Sequence, residues 1–407
     1  MIVQNIIDKC EKELAEKFAH IENIALYNQE KVLKAFKKNQ IALRHFTGTS
    51  GYGYGDEGRE TLNHVLADIF NAEQAICSAN IVSGTHALSL CLYGVLRPND
   101  RILSISGQPY DTLQDVIKGN GNGSLLDYGI DFDCINLKNN FFDYDAIKNY
   151  FVENGYPTMI YLQRSRGYEW RNALSISDIK SAVEFVRSNG FKGCIMLDNC
   201  YGEFIDTIEP TEVGVSLMAG SMIKNIGGGI APTGGYVVGE SKYVEMVQNR
   251  LTAPSIGGEV GSYAFGYQYF FQGLFLAPHV VLQAVKGSLL FGAVFNELGY
   301  ETSPSLNSNP NDIIRAVKFG DEKDLIAFIQ CIQENSPIDS HVLALPWAMP
   351  GYENKVIMAA GCFVQGSSIE LSADAPIKPP FIAYLQGGLT YEHCKIALKN
   401  VMTKLKK

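Results

Sequence analysis

Ser221-Met222-Ile223-Lys224-Asn225-Ile226-Gly227-Gly228-Gly229 sets a lysine between a short apolar and small-residue stretch and a run of glycines. A lysine normally carries its charge into water, and only 19% of this chain is charged. A surface lysine is the ordinary reading. The sharper one is an amine in an apolar place, where a lowered pKa makes it a nucleophile. Upstream, Ile195-Met196-Leu197-Asp198-Asn199 ends an apolar run on an acid. Alone, Asp198 reads first as a cap on a helix or turn. An acid at one strand end and a lysine at another are what pyridoxal phosphate requires. The lysine bonds its aldehyde as a Schiff base, and the acid keeps its pyridine nitrogen protonated.

The chain around these two residues alternates short apolar runs with helical stretches. Strands are expected at 74–79, 101–105, 159–162, 194–197 and 236–238, with helices at 87–96 and 177–189 between them. Such alternation gives a mostly parallel sheet covered on both faces, which binds ligands at its strand ends. Before it, 6–38 reads as one or two amphipathic helices, with Ile7, Cys10, Leu14, Phe18, Ile21 and Ile24 at spacings of three and four. After it, 240–299 reads as helical, interrupted at Pro254, Gly257-Gly258 and Pro278. The Ser-, Asn- and Pro-rich stretch 303–311 marks entry to a second unit. There a helix is expected at 321–335, strands at 355–363, 368–371 and 381–385, and a last helix capped by Thr390. The expected division is a helical segment at 1–46, a large domain at 47–300 and a small domain at 301–407.

Ser83-Gly84-Thr85-His86 follows the first strand and opens a helix. Its small residues and free amides suit an anion such as a phosphate, although Ser-Gly-Thr is also an ordinary helix cap. Ser221 can offer a hydroxyl to the same phosphate, and the glycines at 227–229, 234 and 235 can let backbone approach a ring. Tyr110, just past the second strand, reads as an ordinary core or loop tyrosine or, more sharply, as one that stacks on a flat cofactor. Arg164 and Arg166 follow another strand and read as a solvated pair or a carboxylate clamp. Gly53-Tyr54-Gly55-Asp56-Glu57-Gly58 spells the dinucleotide fingerprint, but no strand precedes it. Tyr54 and Arg59 beside it are phenol and cation donors to a phosphate instead.

A net charge of −9 argues against a nucleic-acid partner, which needs a basic face. Pro278 and His279 break the longest apolar run, so no membrane span is expected. The first residues lack the charged start and apolar core of a signal peptide. Nine cysteines without a Cys-x-x-Cys pair read as free thiols in a reducing cytoplasm, and seven scattered histidines give no metal-ligand spacing.

Together these segments resemble a pyridoxal-phosphate enzyme of the aspartate-aminotransferase-like fold, fold type I. Within it the chain is similar to the cystathionine and methionine γ-lyases, and most of all to the bacterial methionine γ-lyase-like family called aluminium resistance proteins. The likeness rests on Tyr52 to Arg59, Ser83 to Ala87, Gln163 to Tyr168, Leu197 to Glu203, Gly220 to Asn225 and Gln386-Gly387-Gly388-Leu389-Thr390. The resemblance implies an α/β fold with a mostly parallel seven-stranded sheet and a smaller C-terminal α/β domain. It implies Lys224 as the Schiff-base residue, Asp198 on the pyridine nitrogen, Tyr110 on the ring, and Ser83, Gly84, Thr85 and Ser221 around the phosphate. Tyr54 and Arg59 would reach a neighbouring subunit's site, making a homodimer or homotetramer with shared sites. In γ-lyases a C-terminal arginine binds the substrate carboxylate. This chain has only Arg315 after Arg250, in a stretch that reads as helical, so Lys378, Arg164 or Arg166 would replace it.

The implied reaction is loss of a sulfur group from Cβ or Cγ of an amino acid, with Tyr110 or Tyr54 as acid to the leaving group, giving keto acid and ammonia. Transamination and a cofactor-bearing stress-response scaffold are the other readings. No cluster of oxygen ligands suggests a trivalent-metal site.

Overall fold

The computed structural model describes residues 2–349 and 352–405. The N-terminal segment forms two helices, α1 (Ile2–Glu13) and α2 (Ala15–Lys38); of the predicted positions Ile7, Cys10, Leu14 and Ile21 are buried, and Phe18 and Ile24 are half-buried. Helix α3 (Glu57–Ile69) is capped by Asp56, whose carboxylate accepts from the Arg59 amide at 3.0 Å.

The alternation then runs β1 (Gln74–Ser78), α4 (Gly84–Val95), β2 (Arg101–Ser104), α5 (Asp111–Lys118), β3 (Asp131–Cys134), α6 (Tyr144–Asn154), β4 (Met159–Gln163), α7 (Ile176–Ser188), β5 (Cys194–Asp198), β6 (Leu217–Ser221) and β7 (Gly235–Gly239). These seven strands form one sheet in the order β1-β7-β6-β5-β4-β2-β3. Strands β6, β5, β4, β2 and β3 run parallel, and β7 runs antiparallel to β6 and β1. The central strands β4 to β7 are buried at every position, as expected for a sheet covered on both faces.

The rest comprises α8 (Ser241–Leu251), α9 (Gln268–Glu297), β8 (Glu301–Ser303), β9 (Arg315–Lys318), α10 (Glu322–Glu334), β10 (Val356–Ala359), β11 (Ser372–Pro376), β12 (Ile382–Gln386) and α11 (Tyr391–Leu405). Its five strands form an antiparallel sheet, β10-β11-β12-β9-β8. The boundary expected at 300/301 falls between α9 and β8.

Several expectations are corrected. Arg315 opens β9 and is not helical. The strand expected at 368–371 lies later, at β11. Pro278 sits inside α9 without ending it. By length and composition α9 is the one helix among the described residues that is apolar enough to cross a membrane, yet most of it is buried within the protein.

Candidate functional site

The parallel strands end on one edge of the large sheet. In register, Gln163 at the end of β4 lies opposite Asp198 at the end of β5, and Asp198 lies opposite Ala219 of β6. Ser221 ends β6, and the turn after it carries Lys224. Across this edge opens a cavity of about 310 Å³ lined by Ser83, Gly84, Thr85, Tyr110, Asp198, Ser221 and Lys224. Seven of the residues singled out in the sequence thus meet at one place.

Each is held by its local structure. The Ser83 hydroxyl accepts from the His86 amide at 3.1 Å, so this residue does cap α4 while its neighbours face the cavity. A Cβ at Gly84 would point toward Cys200 Sγ, at 3.4 Å, and Ser221 Cβ, at 3.5 Å, into the space between the α4 start and β6. The Thr85 and Tyr110 hydroxyls share a hydrogen bond of 2.7 Å. The backbone amide of Tyr110 donates to Gln163 Oε1 at 2.8 Å. Burial, and then the Asp198 charge, push the Tyr110 phenol up, so it is a neutral donor. Asp198 accepts from the Cys200 amide at 3.0 Å. Burial raises its carboxyl, while the Lys224 charge pulls the other way.

Lys224 Nζ stands 4.1 Å from the centre of the Tyr201 ring, a cation–π distance. Tyr201 itself has φ +73°, a conformation bulky residues rarely hold, and its hydroxyl bonds Ser368 Oγ at 2.9 Å. The expectation of a depressed lysine pKa is corrected. Burial alone would pull the ammonium down, but Cys200, Tyr201, Asp198 and Tyr110 outweigh it and hold the group well above its ordinary range. Asp198 is the one carboxylate among these four groups.

The glycine run serves the backbone of this turn, and the expected approach to a ring is corrected accordingly. A Cβ at Gly227 would lie 1.7 Å from the Met222 carbonyl, and Gly228, at φ +56°, packs against the Gly273 carbonyl of α9. Behind the turn, Asn225 Nδ2 donates to the Glu203 carbonyl at 3.1 Å, and Tyr236 donates to Glu203 Oε1 at 2.7 Å. Burial pushes the Glu203 carboxyl up to about 8.

Five other candidates lie outside the cavity lining. Arg164 is buried with Nη1 donating to Asn199 Oδ1 at 2.9 Å and the Gly202 carbonyl at 2.8 Å, so it braces the Asp198 loop and does not clamp a ligand. Arg166 is buried between the lining residues Ser165 and Gly167. Its Nη1 donates to Ser303 Oγ at 2.9 Å, while Nε and Nη2 have no partner. Lys378 is exposed beside an adjoining hollow that shares Asp111, Tyr168 and Tyr352 with the cavity. Arg59 is buried against the carbonyls of Gly261 and Glu259, at 3.2 and 3.3 Å. Tyr54 projects to the surface, 67% exposed.

The cavity also holds residues to which the sequence reading gave no role: Tyr168, Tyr201, Tyr352, Asp374, Tyr384 and Gln386. Tyr168, Tyr201 and Gln386 lay inside quoted motifs. Asp374 and Tyr384 come from β11 and β12, and nothing local marks them.

The whole chain matches a known pattern. The methionine gamma-lyase family matches residues 3–406. The chain belongs to the methionine gamma-lyase family. An uncharacterized protein of Bacillus subtilis, YnbB, is 45% identical over 399 residues, 97% of this chain and 94% of its own. A crystal structure from Clostridium novyi NT, named as a carbon-sulfur lyase involved in aluminum resistance, is 46% identical with TM-score 0.95, covering 98% of this chain and 95% of that chain. A methionine gamma lyase from Micromonospora echinospora is 15% identical with TM-score 0.61 over 90% of this chain and 93% of its own, and shares the fold alone. The fold type I architecture expected of the family is the one observed.

For a methionine gamma-lyase family member the implied cofactor is pyridoxal phosphate, and the residues present fit it. The α4 amides, Thr85 and Ser221 would supply phosphate donors around a floor kept open by Gly84. Tyr110 would supply a ring face, Asp198 a buried carboxylate and Lys224 the amine.

Proposed function

We propose that this protein is a pyridoxal-phosphate-dependent carbon–sulfur lyase that acts on a sulfur-containing amino acid. The observation that carries the reading is the meeting of Lys224, Asp198 and the α4 phosphate cup in one cavity. Family membership and the C. novyi relative support the same chemistry. When bound, the cofactor supplies an electron sink for negative charge at substrate Cα, which lets a sulfur substituent leave from Cβ or Cγ.

The chain's own residues would do the rest. Lys224 Nζ holds the cofactor at rest and then takes the Cα proton. Asp198 keeps a proton on the pyridine nitrogen. Thr85, Ser221 and the first amides of α4 bind the phosphate. The Tyr110 phenol, neutral in this site, offers its ring for stacking and its hydroxyl as acid to the departing sulfur, Tyr54 of a neighbouring copy being the other candidate acid. The substrate carboxylate is assigned to Arg166, the arginine with two unpartnered donors. Seating it there requires the Ser165–Gly167 segment to move aside, because both nitrogens are covered. Tyr54, with Arg59 behind it, is proposed to serve a neighbouring copy of the chain. The nine free thiols favour the cytoplasm as the working compartment.

The test is direct. Purified protein with added cofactor should develop a visible absorption band that borohydride removes and that Lys224→Ala lacks. The same preparation should release thiol, keto acid and ammonia together from at least one sulfur amino acid. Protein that stays colourless ends the proposal, and keto acid without ammonia moves the assignment to transamination.

A further inference from the structure

The small sheet brings a carboxylate to the cavity where an amino-acid lyase would be expected to bring a cation. Asp374 of β11 stands in register opposite Tyr384 of β12, and both line the cavity. Asp374 Oδ1 is buried and has no hydrogen-bond partner. Tyr168 and Gln386 stand near enough to favour its ionised form, though neither closes a bond on that oxygen.

Around it the wall is aromatic. The Tyr168 ring lies 5.2 Å from that of Tyr384 and 5.9 Å from that of Tyr352, and the Tyr384 hydroxyl donates to the Tyr168 carbonyl at 2.5 Å. Tyr201 and Tyr352 feel the Asp374 charge. Burial pushes the Asp374 carboxyl up to about 6, which leaves it mostly ionised at neutral pH.

The charges lining the cavity are Asp111, Asp198, Asp374 and Lys224. On the lyase reading Lys224 and Asp198 belong to the cofactor. The substrate side then keeps two carboxylates: Asp111 is faced by Lys378 from the adjoining hollow, and Asp374 has no cation near it but Lys224. A carboxylate with an unpartnered oxygen, walled by phenol rings, is complementary to an ammonium that reaches it once the covering groups shift, and it repels an anion.

We infer that Asp374, with the rings of Tyr168, Tyr201 and Tyr352, forms a subsite for an ammonium group on the departing half of the substrate. The substrate class is then a sulfur amino acid whose leaving thiol carries an amine. The inference rests on the lyase reading for its orientation and on the cavity for its chemistry.

Three probes of similar size separate the possibilities: S-aminoethyl-cysteine, S-propyl-cysteine and S-carboxymethyl-cysteine. Rapid mixing with the holoprotein, followed by the shift of the cofactor band before turnover, gives the affinity of each. The aminoethyl compound should bind roughly tenfold or more tightly than the propyl one, the gain expected of one charge-assisted contact, and the carboxymethyl compound should bind least. Asp374→Asn should erase the difference, and Asp374→Glu should keep the order. Equal or inverted affinities in the wild type, no band shift with any probe, or an order unchanged in Asp374→Asn overturns the subsite. If Asp374→Asn does not fold, the wild-type order decides. Thiol release reads the parent proposal separately. The predicted order without thiol release removes the lyase reading and keeps the subsite, whereas thiol release at equal affinity does the reverse.

Discussion

Arg164 and Arg166 are two residues apart, both buried, and held in opposite ways. Arg164 fills the space against Gly202, where a Cβ would lie 2.5 Å from its Cδ, and its hydrogen bonds close the loop behind Asp198. Arg166 sits near Arg315, and burial followed by that like charge pushes Arg315 down to about 9. Arg164→Met should therefore cost stability, about 1–3 kcal/mol for the acceptors of Leu174, Asn199 and Gly202 left without it, read as a lower denaturation midpoint. Arg166→Met removes an incompletely satisfied buried charge and should cost little stability. It should instead raise KM for the amino acid more than it lowers kcat, the mark of lost ground-state binding. An unchanged KM in Arg166→Met would exclude it as the carboxylate anchor. At this scale the sequence was informative where chemistry sits beside small residues at a strand end, as for Lys224, Asp198, Gly84 and Ser221. It was silent for Asp374 and Tyr384, because their place in the cavity depends on a second sheet folded from a distant part of the chain.

At the scale of elements, the legible strands were those with apolar runs, β1, β2, β4, β5 and β7 of the large sheet and β10 and β12 of the small one. Strand β6, Leu-Met-Ala-Gly-Ser, carries too little β-propensity to be seen, and β3, Asp-Phe-Asp-Cys, has the alternating look of a sheet edge. Pairing and burial decide β6, and pairing with β2 decides the largely exposed β3. Strand β11, Ser-Ala-Asp-Ala-Pro, is similarly set by pairing with β10 and β12. The element that matters most is the turn from β6 to the Gly227–Gly229 run, which fixes where Lys224 points. Gly228 has φ +56°, and a Cβ there would come within 2.4 Å of the Gly273 carbonyl of α9. Gly228→Ala combines left-handed strain with a backbone clash and should destabilise the fold by about 2–4 kcal/mol. It should also weaken retention of the cofactor, read from the visible band after dialysis. A variant as stable as the parent would mean that the turn can shift without loss, and that it does not fix the lysine.

At the scale of the whole molecule, the loop carrying Tyr52 and Tyr54 packs on the loop before α9. The Gly261 amide donates to the Tyr52 carbonyl at 3.0 Å, and Ser262 Oγ donates to the Gly51 carbonyl at 2.8 Å. Arg59 ties the same loop through Gly261 and Glu259. The result is a surface ledge with Tyr52 72%, Tyr54 67% and Phe265 86% exposed. Aromatic groups gathered this way on a surface mark an interface, and in a single copy Tyr54 has no part in the cavity. If a second copy covers the ledge and receives Tyr54, two differently damaged chains can repair each other. Lys224→Ala and Tyr54→Phe homomers should each be impaired. Unfolding and refolding them together should restore activity, because a mixed pair contains one site with Lys224 from one chain and Tyr54 from the other. Mixing without refolding should restore less, since subunits must exchange. Activity that stays at the average of the two homomers, or a solution mass of one chain, would confine Tyr54 to the surface of its own copy and make the cavity complete within one chain.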